Sequence, residues 1–219
     1  MSKRLKNKIT HPVRRSVLLS IGMIIMSFGV AFSIKSELGT SSISSVPYVT
    51  SVISGLSVGV TTIIMNSLFI LAQIIILRKR YEWIQLLQLP AVVLFGVMID
   101  VAGIVLEPIP VSNYFQRWVL CIVGILLLAL GVSLEVTADF VTTPGEGLVI
   151  AICKVTPMKF GNMKVLFDVI LVCVAVALSF AFLGKLDGVR EGTVASAVFV
   201  GLITKLFRKP MKKLKIYLE

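Results

Sequence analysis

Long apolar runs, broken by short polar or basic stretches, occupy the chain from residue 15 to residue 207. Crossing a bilayer takes roughly 20 mostly apolar residues, and six segments come close to that length: 15–35, 59–77, 84–106, 117–136, 162–183 and 191–207. Two further segments are apolar in part yet suit lipid poorly. Residues 40–56 are rich in Ser and Thr and interrupted by Pro47, and residues 142–158 hold Pro144, Gly145, Glu146, Lys154 and Pro157. Both read as re-entrant half-helices, which enter a membrane and return on the same side. Irregular backbone at that depth survives only when it is buried in protein or lines a wet cavity.

The runs repeat. A shift of 102 residues lays Gly22 on Gly124, Gly29 on Gly131, Thr40 on Thr142, Gly59 on Gly161 and Asn66 on Asp168. After a three-residue slip, Gly96 falls on Gly201. Gly22 and Gly29, like Gly124 and Gly131, are seven apart and share one helix face, where small residues let membrane helices approach closely. Duplication of a short hydrophobic chain is the usual build of a small transporter or channel.

Composition and charge narrow the class. Charged residues make up only 15% and mean hydropathy is +0.97, against about 25% charged in a soluble domain. The chain is therefore expected in a lipid bilayer, and the first run is too long and lacks the cleavage site of a signal peptide. The net charge of +11 clusters beside the ends of apolar runs, where the positive-inside rule puts it, so no nucleic-acid partner is expected. With six spans and two re-entrant segments, 18 of the 22 Lys and Arg residues fall on the cytoplasmic side. Eight full spans would put 16 there, and the cluster Arg78-Lys79-Arg80 makes the difference.

The favoured architecture is thus an all-α integral membrane protein of six transmembrane helices plus two re-entrant half-helices in two inverted three-span repeats. It divides into a basic cytoplasmic arm (1–14), a first repeat (15–106), an extracytoplasmic connector (107–116), a second repeat (117–207) and a basic cytoplasmic tail (208–219). Both termini are expected in the cytoplasm, at a bacterial inner membrane. The bilayer is the obvious partner, and the glycine faces allow a homodimer.

Few polar residues lie at membrane depth. Asp168 leads, because a carboxylate there costs roughly 2.5–3.5 kcal/mol on insertion scales and so faces a cavity or a partner. It reads either as a solute- or proton-binding group, with Asn66 its neutral counterpart, or as the structural partner of Lys164 four residues earlier. Next come the half-helix mouths, where Glu37 pairs with Asp139, Thr40 with Thr142, and Ser41 with Thr143 at the same spacing, beside Glu146. Helix starts inside a membrane protein present free N–H groups that can hold a solute. Equally, these residues suit ordinary caps and turns. Asp100 and Glu135, nearer helix ends, are expected to reach the interface. No metal site, cofactor or enzyme activity is expected: His11 is the sole histidine, Cys121, Cys153 and Cys173 lack ligand spacing, and no nucleophile–base pair is placed for catalysis.

The Gly-spaced first helix, the Leu38-Gly39-Thr40-Ser41-Ser42 turn, its partner Thr142-Thr143-Pro144-Gly145-Glu146-Gly147 and the closing Arg190-Glu191-Gly192-Thr193 with Gly201 resemble the YczE/YyaS/YitT-like family of bacterial integral membrane proteins, over about 15–207. The resemblance implies a small inner-membrane protein and carries no activity or catalytic residue with it. The expected function is transport or permeation of an unknown small solute or ion, with a site between the repeats. The alternative is a non-transporting subunit of a larger membrane complex.

Overall fold

A computed structural model describes residues 12–216; the side chains at 208–210 and 212–216 are not described, and most of the basic arm (1–11) and the last residues of the tail (217–219) lie outside. The described chain is helical throughout. In order the helices are α1 (Pro12–Lys35), α2 (Ser42–Ser54), α3 (Val58–Leu77), α4 (Gln88–Leu106), α5 (Tyr114–Ala138), α6 (Pro144–Val155), α7 (Phe160–Leu178) and α8 (Glu191–Ile216). Two 3-10 turns lie between α3 and α4, and a π turn, Ser179–Leu183, prolongs α7.

Among the described residues, five stretches are long and apolar enough to cross a membrane: Pro12–Lys35, Val58–Arg80, Trp83–Leu106, Tyr114–Ala138 and Phe160–Leu183. They match five of the six expected spans to within a few residues. The expected span 191–207 opens α8, which is not among the five. Leu68, Ile75, Ile104 and Val165 are more than half exposed, an arrangement that suits lipid and would be costly in water. The chain is a multi-pass helical membrane protein.

Local sequence sets the helix ends. Ser41 caps α2 by accepting the Ser44 N–H, and Gly55 closes it in the left-handed region at φ 72°. Ser57 caps α3 by accepting from Val60 N–H, and Asn113 caps α5 by accepting from Gln116 N–H. Pro144 opens α6 at its first turn, where a missing N–H costs nothing. Both α2 and α6 begin 102 residues apart, as do α3 and α7.

At the centre α1 and α5 run antiparallel in close contact. A Cβ on Gly22 would lie 3.1 Å from the Gly131 carbonyl oxygen, and one on Gly29 would lie 2.7 Å from Leu128 N and 3.0 Å from the Gly124 carbonyl oxygen. Only glycine permits that approach. Arg15 at one end of this pair donates to the Ala138 carbonyl at 2.9 Å. At the other end Arg117 pairs with Glu37 at 2.7 Å.

Neither short helix travels from one end of the bundle to the other. Lys35, before α2, and Ser57, after it, line the same cleft with Asp100 and Glu107. At the opposite end, Ala138 and Val141 before α6 pack with Leu19 beneath the start of α4, and Ala151 near its finish packs on Leu77 and Tyr81.

Candidate functional site

The mouth of α6 gathers charge. Asp139, in the left-handed region at φ 44°, turns the chain out of α5. The backbone then runs back along α5 to Thr143, whose N–H donates to Glu135 Oε1 at 2.8 Å. Thr143 makes no side-chain cap of its own. The Glu135 carboxylate serves instead, and an anion beside a helix N-terminus is favourably placed. Glu135 is only 5% exposed, so the expectation that it reaches the interface is corrected: the α5–α6 turn folds over it. Glu146 sits in the first turn of α6, within electrostatic reach of Glu135, Lys164 and Asp168. Lys164 bonds Asp168 at 2.6 Å on one face of α7. Glu135 thus caps this helix start, and Glu146 in its first turn feels Glu135 on one side and the Lys164–Asp168 pair on the other. Asp168 lies eight residues into α7, about 12 Å along its axis.

The mouth of α2 is neutral. Thr40 N–H donates to the Gly188 carbonyl at 3.0 Å, and its hydroxyl reaches the same oxygen at 3.3 Å. Ser41 Oγ lies 3.0 Å from Ser44 Oγ. The two mouths approach each other: a Cβ on Gly145 would lie 3.4 Å from Ile43 Cδ1.

On α3, Thr62, Asn66 and Gln73 share the buried face, opposite the exposed Ile64, Leu68, Leu71 and Ile75. Asn66 Nδ2 donates to the Thr62 carbonyl at 2.9 Å, while Thr62 Oγ1 is buried without a partner. Gln73 closes the α6 end. Its Nε2 donates to the Pro144 carbonyl at 3.0 Å and to Gln88 Oε1 at 3.3 Å, and both glutamines are fully buried.

The expected residues therefore separate into groups. Asp168, Glu146 and Thr143 gather at the α6 mouth, with Thr142 half-buried in the linker before it. Thr40 and Ser41 stand at the α2 mouth, and Asn66 lies in the interior. Glu37 and Asp139 are at opposite ends of α5, about 33 Å apart along it. Glu37 is mostly exposed and held by Arg117. Asp100 does not simply meet solvent either: its Oδ1 accepts Gly59 N–H and its Oδ2 accepts the Ser57 hydroxyl, both at 2.7 Å. Glu135, Gln73, Gln88 and Arg15 went unselected, although each is a polar residue within or beside an apolar run, which is the signal that marks them.

A cavity of about 390 Å³ opens at the α2 end, lined by Ser33, Thr40, Tyr48 and Asp187 among others. Its charged groups are mutually satisfied: Lys185 lies 3.6 Å from Asp187, Arg190 lies 3.5 Å from Glu191, and Glu37 is taken by Arg117. It is a vestibule at the neutral mouth, apart from the carboxylate cluster.

Two relatives from Bacillus subtilis (strain 168) resemble the chain. The uncharacterized protein YyaS is 26% identical over 189 residues, covering 85% of this chain and 89% of the relative. The uncharacterized membrane protein YczE is 26% identical over 185 residues, covering 84% of this chain and 80% of the relative. Both are the relatives that the glycine and turn motifs implied. No solved structure matches. The family model of DUF6198 matches residues 13–209, and the chain belongs to that family of unknown function.

Proposed function

We propose that this protein moves a small cation, or a solute coupled to a proton or cation, across a bacterial inner membrane. The observation that carries the reading is the α6 mouth, where Glu146 and Asp168 share one ammonium, Lys164, and the buried Glu135 lies within electrostatic reach of Glu146. Carboxylates held inside a membrane protein are costly unless a cavity, partner or ligand compensates them. An excess of three over one favours a positively charged ligand. Asn66 and the hydroxyls of Thr40, Ser41, Thr142 and Thr143 supply neutral contacts along the path between the two mouths.

The reading includes two inverted repeats. The contact of Gly22 with Gly131 becomes the contact of Gly124 with Gly29 under the 102-residue shift, and the two helices are antiparallel. A two-fold axis perpendicular to antiparallel helices lies in the membrane plane, as inverted repeats require. Arg15 and Arg117, also 102 apart, hold equivalent helix ends, and Glu37 and Asp139 take the same left-handed turn. With both termini cytoplasmic, a cysteine replacing Lys79 reacts with membrane-permeant maleimides only; labelling by an impermeant reagent from outside would overturn that orientation.

A thermal-shift series tests the function. Detergent-purified protein is titrated with alkali cations, protons and a panel of small metabolites, with Asp168→Asn beside it. The expected result is a cation or pH step that raises the unfolding temperature of the native chain and leaves the variant unchanged. A folded sample that responds to nothing would favour the non-transporting subunit instead.

A further inference from the structure

The two halves place the same glycines differently. In the first, α3 and α4 cross at Gly59 and Gly96, where a Cβ on Gly59 would collide with the Gly96 carbonyl oxygen and a Cβ on Gly96 would lie 2.5 Å from Ile63 Cγ1. Asp100 latches this crossing by accepting Gly59 N–H and the Ser57 hydroxyl at 2.7 Å. In the second half the counterparts are Gly161 and Gly201, both exposed, with nothing within 4 Å of an added Cβ. Among the described residues, helices α7 and α8 scarcely touch. A membrane helix gains nothing from an exposed glycine: it forfeits helix propensity, about 1 kcal/mol against alanine, and offers close approach to no neighbour. A second contrast explains the gap. The latch residues Ser57 and Asp100 correspond, at the same two offsets, to Lys159 and Lys205, both exposed. Where the first half has a carboxylate over a helix N-terminus, the second has two like charges.

We infer that α7 and α8 are a mobile pair, open here, whose closed state seats Gly161 on Gly201 as Gly59 sits on Gly96, with Lys205 in place of the latch carboxylate keeping that state in the minority. The correspondence of the halves rests on the repeat reading above; the motion itself requires no particular solute. In a carrier, closing α7 on α8 would reshape the α6 mouth, because Lys164 and Asp168 ride on α7, about one and two turns beyond Gly161.

The test reads the gap directly. Nitroxides are attached at Val165 and Val198, which are 65% and 52% exposed, after Cys121, Cys153 and Cys173 have been replaced by alanine. Electron–electron distance measurements in nanodiscs should give two populations. The shorter should grow several-fold in Lys205→Asp, which restores the latch chemistry, and vanish in Gly161→Leu. Gly161 has open space around an added Cβ and Lys205 is exposed, so the fold should survive both variants, and gel filtration checks it. As an independent readout, Gly161→Cys with Gly201→Cys should oxidise to an intramolecular disulfide, which needs Cα atoms within about 7 Å. A single distance that ignores Lys205→Asp, together with no disulfide, would overturn the inference. These signals are read without solute: two populations alongside no ligand response would leave the motion standing and remove the cation reading, and the converse result would do the reverse.

Discussion

The short-helix mouth of the first half is neutral and its α3–α4 pair closely packed, whereas the mouth of the second is charged and its α7–α8 pair open. Thr62 and Asn66 on α3 have as counterparts Lys164 and Asp168 on α7; Ser33, ahead of the α2 mouth, has Glu135; Ser44 has Glu146. Four neutral hydrogen-bonding positions in one half are thus ionisable in the other, and the carboxylates gather at one mouth. Over the same positions, α3 is latched to α4 while α7 stands clear of α8. On the repeat reading, one copy of a scaffold would hold shape while the other carries the candidate chemistry and the proposed motion.

The sharpest way to break this comparison is through its glycines. Gly59→Leu drives a side chain into the backbone of α4 and should destabilise by about 3 kcal/mol, the upper end of overpacking costs, seen as a lower unfolding temperature and loss of a monodisperse peak. Its counterpart Gly161→Leu should stay within about 0.5 kcal/mol of the native chain, as an exposed change does. Equal costs at the two sites would erase the distinction. A smaller effect is expected at the amide clamp below the α6 mouth. Gln73→Leu strands the Gln88 amide in a buried site, at about 1–3 kcal/mol, and the double variant with Gln88→Leu should recover part of the loss because both partners become apolar. Additive losses would mean that the two amides do not act as a pair. The smallest effect is at Tyr81, whose hydroxyl is buried without a partner. Tyr81→Phe should leave stability unchanged or raise it by up to about 1 kcal/mol, and a clear loss would reveal a bond the structure does not contain.

Much of the fold was legible because bilayer crossing is a one-dimensional constraint. Run length alone located Pro12–Lys35, Val58–Leu77 and Tyr114–Ala138 to within three residues at each end, and serine-rich or proline-bearing sequence singled out α2 and α6. The candidate site was legible only in part. Asp168 and Glu146 stood out as carboxylates in apolar surroundings. Glu135 did not, because its place three residues before a helix end suggests exposure, and only the returning linker that puts Thr143 N–H on its carboxylate buries it. Glu37 and Asp139 looked like a pair because they match in sequence, yet antiparallel helices send matched ends to opposite sides.

By itself, then, the sequence determined that this is a membrane protein built from a repeated glycine pattern, with few polar groups inside, because apolar length and residue spacing are local properties. Tertiary structure alone decided which glycines meet, which carboxylates converge on Lys164, and that α3 is closed on α4 while α7 is open. Those facts depend on helix direction and crossing, which bring together residues more than a hundred positions apart, and no local pattern encodes them.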